Sequence, residues 1–236
     1  MQSMYFLTEH SNLVNQQICP QQILPSLLSA DPMQFGQEIS SLQQAGIQTL
    51  HLDVMDNHYV PNLTFGAGIA DGIRKHFPNL GIDVHLMTEP VDTMIEQFAK
   101  TGVTQISIHA NATHHLDRSL TLIRQLGCRA GLALNPTDGL DILEYSAHRL
   151  DFVLIMTVNP GFGGQSLIAE VIPKIKRLHQ TYPELAIAVD GGVNANNIST
   201  LAAAGCSHFV IGSALLNQKN YQDAVRSFCQ PYITSQ

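Results

Sequence analysis

The sequence predicts an α/β chain closed into a single (β/α)8 barrel, and three observations support that reading. Its 236 residues are the usual length of one such barrel, although two small domains would also fit. Short apolar or β-branched runs alternate with amphipathic segments of about 10–15 residues, which argues for parallel βαβ units. Chemically capable side chains collect at the C-terminal ends of the runs, where barrels carry their chemistry.

Residues 1–22 are polar, rich in Gln and Asn, and without clear period. They read as a leader or capping segment outside the core, with the barrel over residues 23–236. Strands are expected at 23–28, 49–54, 81–86, 105–109, 129–134, 152–157, 186–190 and 208–212. Eight of them favour a closed barrel over an open sheet. Helices are expected at 32–45, 90–100, 116–126, 167–181 and 196–204. The first follows Asp31, an N-cap residue type, with Pro32 at the first helical position. Ala45-Gly46, Thr101-Gly102 and Ala204-Gly205 precede strands, as expected for Gly in the left-handed conformation that ends a helix.

Hydrophobic residues make up 44% and charged residues 13%, enough to bury a large core and to exclude disorder. The net charge of -7, with no basic stripe, makes nucleic acid and anionic membrane poor partners. Cys19, Cys128, Cys206 and Cys229 form no CxxC pair, which excludes a zinc ribbon or a thioredoxin-like motif. Scattered thiols fit a reducing cytoplasm, where they read as small buried hydrophobes. The N-terminus has no basic region followed by an apolar one, so no signal peptide is expected. No apolar run reaches the 18 residues of a membrane span.

The second expected strand carries His51 and Asp53, two apart and so on one face. The third ends in Asp83-Val84-His85-Leu86-Met87, and the seventh in Val189-Asp190-Gly191-Gly192. Two imidazoles, His51 and His85, and two carboxylates, Asp53 and Asp190, thus converge on one mouth. That set suits Zn²⁺, Fe²⁺, Mn²⁺ or Co²⁺. Singly, each reads more simply as a hydrogen-bonded polar residue lining a wet pocket.

Three glycine-rich turns follow the last three strands: Pro160-Gly161-Phe162-Gly163-Gly164, Asp190-Gly191-Gly192 and Gly212-Ser213. Glycine lets backbone N–H groups approach an anion closely, and the loops after strands 7 and 8 are the usual phosphate site of this architecture. Met55, Met87 and Met156 stand just past strand ends. Methionine is more often core filler, but here it could cushion a delocalised anion. His58 and His109 lie near the mouth. His10, His76, His114, His115, His148, His179 and His208 read as surface or satisfied residues.

Two carboxylates facing each other across a metal suit proton removal beside a carbonyl and proton return on the other face. They need opposite protonation states at one pH, which differing environments can supply.

With these motifs in view, the stretch from about residue 23 to 228 resembles the ribulose-phosphate 3-epimerase family. The matching segments are Pro25-Ser26-Leu27-Leu28-Ser29-Ala30-Asp31, His51-Leu52-Asp53-Val54-Met55-Asp56, Val60-Pro61-Asn62, Asp83-Val84-His85-Leu86-Met87, Met156 through Gln165, Val189-Asp190-Gly191-Gly192 and Gly212-Ser213. The resemblance implies a barrel of the ribulose-phosphate-binding type. It implies an isomerase of the pentose phosphate pathway, interconverting D-ribulose 5-phosphate and D-xylulose 5-phosphate in the cytoplasm, and a homo-oligomer. His51, Asp53, His85 and Asp190 look like the ligands of one divalent metal ion. Asp53 looks like the proton acceptor and Asp190 like the donor. Ser26 and His85 look like substrate contacts, residues Gly161, Phe162, Gly163, Gly164, Gly191, Gly192, Gly212 and Ser213 like the phosphate grip, and Met55, Met87 and Met156 like a cap over the enediolate.

Asn57 stands where the family usually has Gly, and Asn tolerates that left-handed turn better than most residues. Asn111 stands where a Glu is usual, at the rim of the pocket. Three other readings remain in play: an epimerase of allulose 6-phosphate, a decarboxylase-type phosphate barrel, and a non-catalytic binding barrel. The decarboxylase type needs an Asp-x-Lys-x-x-Asp strand, and the third strand here has no Lys.

Overall fold

The computed structural model of the protein describes residues 13–235. Eight parallel strands form one sheet: β2 (Ile23–Pro25), β3 (Thr49–Met55), β4 (Gly81–Met87), β5 (Gln105–His109), β6 (Arg129–Leu134), β7 (Phe152–Met156), β8 (Ala186–Asp190) and β9 (His208–Ile211). Their order is β2-β9-β8-β7-β6-β5-β4-β3, and a parallel bridge between Ser26 and His51 joins the two ends. The sheet therefore closes into the expected barrel, and it closes at two residues singled out for the site.

The helices are α1 (Phe35–Gln44), α2 (Ala67–His76), α3 (Asp92–Ala99), α4 (Leu116–Gln125), α5 (Ile172–Thr181), α6 (Ile198–Ala203), α7 (Ser213–Leu216) and α8 (Tyr221–Phe228). The β6–β7 connection carries only the 3-10 turns Asp141–Glu144 and Ala147–Arg149. α2, α7 and α8 were not among the expected helices. Strand β2 stops at Pro25 rather than 28, because the chain turns at Ser26, whose Oγ accepts from the Leu28 N–H at 3.3 Å. Asp31 caps as expected, accepting from the Met33 N–H at 3.0 Å, but it starts a 3-10 turn, and α1 begins only at Phe35.

The boundary expected at residue 22 falls inside folded structure. Residues 1–12 lie outside the described residues. Strand β1 (Leu13–Gln17) pairs antiparallel with β10 (Pro231–Ser235), and Ile18 is fully buried. A polar composition hid this segment, because one strand and one anchoring side chain are enough to hold it.

The core has two layers. One fills the space between strands and helices, with Ile39, Leu42, Ile95, Phe98, Ile123 and Leu201 facing Leu50, Leu52, Ile106 and Val153. The other plugs half of the barrel interior with Leu24, Ala133, Phe152, Leu154, Met156, Ala188 and Val210. Its bottom depends on Gly131, where a Cβ would fall 2.3 Å from the Phe152 ring. The other half of the interior is polar. Alternate residues of β3, β4 and β5 put His51, Asp53, Asp83, His85, Ser107 and His109 there, all buried. The register sets His51 beside Asp83 and Asp53 beside His85.

No helix among the described residues is long and apolar enough to cross a membrane. All four cysteines are free; Cys128 and Cys206 are buried as expected, but Cys19 is exposed and Cys229 half-buried.

Candidate active site

At the C-terminal end of the barrel, β3 contributes His51 and Asp53, β4 His85 and β8 Asp190, and one donor atom from each lies within 4.8 Å of the others. His51 Nε2 is 3.3 Å from Asp53 Oδ1 and 3.9 Å from Asp190 Oδ2. His85 Nδ1 is 3.4 Å from the same Asp53 oxygen and 3.8 Å from the same Asp190 oxygen. A tetrahedral ion with bonds of roughly 2.0–2.1 Å holds its donors about 3.3–3.4 Å apart. The two separations to Asp53 match that figure and the two to Asp190 exceed it by about 0.5 Å, so a small inward shift of Asp190 completes the set; two neutral imidazoles and two carboxylates match a divalent charge, and the residues therefore fit such an ion.

The groups around these four hold them in place. Asp83 Oδ2 lies 2.6 Å from His51 Nδ1, which leaves Nε2 facing the donor set. Ser26 Oγ–H donates to Asp53 Oδ2 at 2.5 Å, and Thr64 Oγ–H donates to the Asp53 carbonyl at 2.5 Å. His109, fully buried, places its Nε2 2.8 Å from His85 Nε2. Asp83 was not singled out in the sequence, and His109 only as a residue near the mouth. For Asp83 the signal available was its place two residues before His85 on one strand; the meeting of His109 with His85 depends on strand register, which the sequence does not display.

Electrostatics drive the two carboxylates apart. Burial alone would raise Asp53, but the His51 and His85 imidazoles outweigh it and hold the carboxyl well below its usual range. Asp190 is pushed up to about 8, first by burial and then by the Asp53 charge. For His51, burial, which would lower it, loses to the Asp53 and Asp83 carboxylates, so the imidazole is raised well above its ordinary value. For His85, burial prevails over Asp53 and lowers it.

Above the four donors opens a cavity of about 240 Å³. Ser26, Asp53, Asp190 and the three methionines line its floor and wall, and Gly161, Phe162, Gly163, Gly164, Gly191, Gly192, Gly212 and Ser213 line its far side. Every residue expected at the phosphate grip and the methionine cap therefore faces this cavity. Among the described residues no Lys or Arg lines it, so an anion there must be met by backbone dipoles and hydroxyls. The glycines are steric requirements: a Cβ on Gly191, at φ +116, would lie 2.4 Å from Val158, and one on Gly192, at φ +65, 2.3 Å from the Leu167 nitrogen.

The β3–α2 loop forms the near rim. Asn57 adopts φ 58, the left-handed conformation its place in the turn requires. Asp56 accepts from the backbone N–H groups of His58, Tyr59 and Glu89, each at 2.8 Å, tying this loop to the one after β4. Burial would raise its carboxyl, but those N–H groups lower it. Asn62 Nδ2 donates to the Gly161 carbonyl at 3.0 Å, which latches the rim to the far-side loop. His58 is exposed and does not line the cavity. Asn111 Oδ1 accepts from Tyr59 Oη–H at 2.7 Å on the rim.

The model of the ribulose-phosphate 3 epimerase family matches residues 22–216. The chain is 45% identical over 204 residues to ribulose-phosphate 3-epimerase of Buchnera aphidicola subsp. Acyrthosiphon pisum, covering 85% of this chain and 90% of that one. It is 44% identical over 207 residues to the enzyme of the same name from Escherichia coli strain K12, covering 86% and 92%. It is 46% identical over 201 residues to ribulose-phosphate 3-epimerase 1 of Cupriavidus necator, covering 82% and 83%. Among solved structures it is similar to KGPDC from Streptococcus mutans (TM-score 0.70, 14% identity, 89% and 96% covered). It is also similar to thiamine phosphate pyrophosphorylase from Pyrococcus furiosus (TM-score 0.62, 9% identity, 89% and 94% covered). At these identities the two structures share the fold alone.

Proposed function

The chain belongs to the ribulose-phosphate 3-epimerase family, and from that premise we propose that it interconverts D-ribulose 5-phosphate and D-xylulose 5-phosphate by moving a proton at C3. The observation that carries the proposal is the pair Asp53 and Asp190, on one donor set at the cavity floor, with one carboxyl held well below its usual range and the other raised to about 8.

In this reading, ionised Asp53 removes the C3 proton as general base, and Asp190, whose Oδ2 faces the donor set, takes up a solvent proton on Oδ1 and returns it on the opposite face. In the reverse direction the roles exchange. Ser26, which donates to Asp53, keeps that carboxylate aimed. His51, Asp53, His85 and Asp190 would hold a divalent ion, proposed as Zn²⁺, Fe²⁺, Mn²⁺ or Co²⁺, which when bound would supply Lewis-acid polarisation beside the substrate carbonyl. Met55, Met87 and Met156, all buried, exclude water from the enediolate without offering a nucleophile. The glycine-lined side takes the phosphate and contributes orientation remote from C3.

The names of the relatives favour the five-carbon substrate over allulose 6-phosphate. The cytoplasm is the proposed compartment, supported by the four free thiols. The net charge of -7 argues against a nucleic-acid partner. A homo-oligomer is proposed on family kinship.

The test is incubation of the metal-loaded protein with ribulose 5-phosphate in D₂O, with C3 followed by proton NMR. Deuterium at C3 together with xylulose 5-phosphate is the expected result. No exchange with metal supplied would reject the assignment.

A further inference from the structure

We propose that His109 is a positioning residue that accepts the Nε2 proton of His85 when His85 turns its Nδ1 lone pair to a metal ion, the two rings changing tautomer together. The inference rests on the metal reading above and deepens it. The two Nε2 atoms stand 2.8 Å apart, both rings are fully buried, and His109 Nδ1 is buried with no hydrogen-bond partner among the described residues.

A neutral imidazole has one N–H and one lone pair, so two facing nitrogens at this distance share one proton. Two arrangements are possible. In the first, His109 Nε2–H donates to His85 Nε2. His85 then carries its proton on Nδ1, directed at Asp53 Oδ1 3.4 Å away, and no lone pair faces the donor set. In the second, His85 Nε2–H donates to His109 Nε2, the His85 Nδ1 lone pair faces the donor set, and the His109 proton moves to Nδ1.

The second arrangement buries an unsatisfied N–H at His109 Nδ1, and the first buries only an unsatisfied lone pair. Without an ion the first is favoured; with an ion, ligation by His85 Nδ1 imposes the second. Loading therefore shifts both tautomers together, with no change in total protonation of the two rings.

The surroundings hold His109 where this exchange needs it. Its ring lies between Tyr59 and His85, with centroids 5.0 Å away on each side and tilts of 34° and 37°. Tyr59 is in turn fixed by its bond to Asn111. This gives Asn111, the departure at the rim, a structural role: it anchors the aromatic wall behind His109.

The experiment uses the full chain, ¹⁵N-histidine NMR, and Zn²⁺ affinity measured against a chromophoric chelator. In the wild type, Zn²⁺ should convert His85 to its Nε2–H form and His109 to its Nδ1–H form. His109→Leu, which fills space but accepts no hydrogen bond, should weaken Zn²⁺ binding about 10–100-fold, in line with other outer-shell partners of metal-bound histidine. His109→Gln, which can place an acceptor near the same point, should restore most of that loss. Equal weakening in the Leu and Gln variants would show that His109 only packs, and unchanged affinity in both would overturn the proposal. A His109 Nε2–H signal in the Zn²⁺-loaded wild type would overturn it without any variant. A wild type that binds no Zn²⁺ would instead reject the metal reading itself.

Discussion

The raised carboxyl of Asp190 makes metal binding depend steeply on pH. In the metal-free protein its pKa is pushed up to about 8, by burial first and the Asp53 charge second. Below that pH an incoming ion must displace a proton, and each unit costs about 1.4 kcal/mol, or tenfold in affinity. From pH 8 down to pH 6, Asp190 alone therefore weakens binding by about 100-fold. His51 adds to this. It is raised well above its ordinary value, burial being outweighed by Asp53 and Asp83, so at low pH it also carries a proton that ligation must expel.

A plot of log Kd against pH should thus fall with a slope between about 1 and 2 and flatten once both groups are deprotonated. Chelator competition at pH 6, 7, 8 and 9 gives the slope, and calorimetry in buffers of different ionisation enthalpy counts the protons released. Asp190→Asn, with no proton to displace, should lose about one unit of slope. Constant affinity from pH 6 to 8, or binding without proton release, would refute the electrostatic account of the site. Stability follows the same linkage with its own sign. Between the ordinary Asp value near 4 and about 8, the folded metal-free chain holds an Asp190 proton that the unfolded chain lacks. Stability from this group is therefore present at low pH and lost as pH rises through that window. Asp53, lowered, acts oppositely: its contribution is present above about 4 and lost as pH falls below it.

Two substitution experiments complete the set. Asp53→Asn and Asp190→Asn should each cut turnover by about 10²–10⁴ while thermal unfolding remains cooperative, and a near-normal rate in either would reject the two-carboxylate mechanism. Ile18→Ala should cost about 2–5 kcal/mol and lower Tm by on the order of 10 °C, because Ile18 is fully buried. Its kcat should be unchanged, since it precedes β2 at the end of the barrel opposite the cavity; an unchanged Tm would show that residues 13–22 contribute nothing to the fold.

Much of this was legible in the sequence, because it is periodic or local. Eight strands announced themselves by short apolar or β-branched runs, and five of the eight helices by their amphipathic spacing. His51, Asp53, His85 and Asp190 could be grouped because alternation along a strand fixes which residues share a face, and a parallel barrel brings all strand ends to one mouth. Asn57 could be assigned its left-handed turn from steric preference alone. α2 escaped notice because Gly68 and Gly72 weaken its pattern, and β1 because a polar strand has no signature until its partner near residue 235 is known.

What only the tertiary structure decided are the relations between strands. That Asp83 orients His51, that His109 meets His85, and that Ser26 reaches Asp53 all depend on register, which a linear pattern does not contain. The opposite shifts of Asp53 and Asp190 likewise needed burial and distances of a few ångströms, since chemically identical carboxyls differ only through what surrounds them. The amino-acid sequence determined which groups stand at the mouth; packing determined which of them holds a proton.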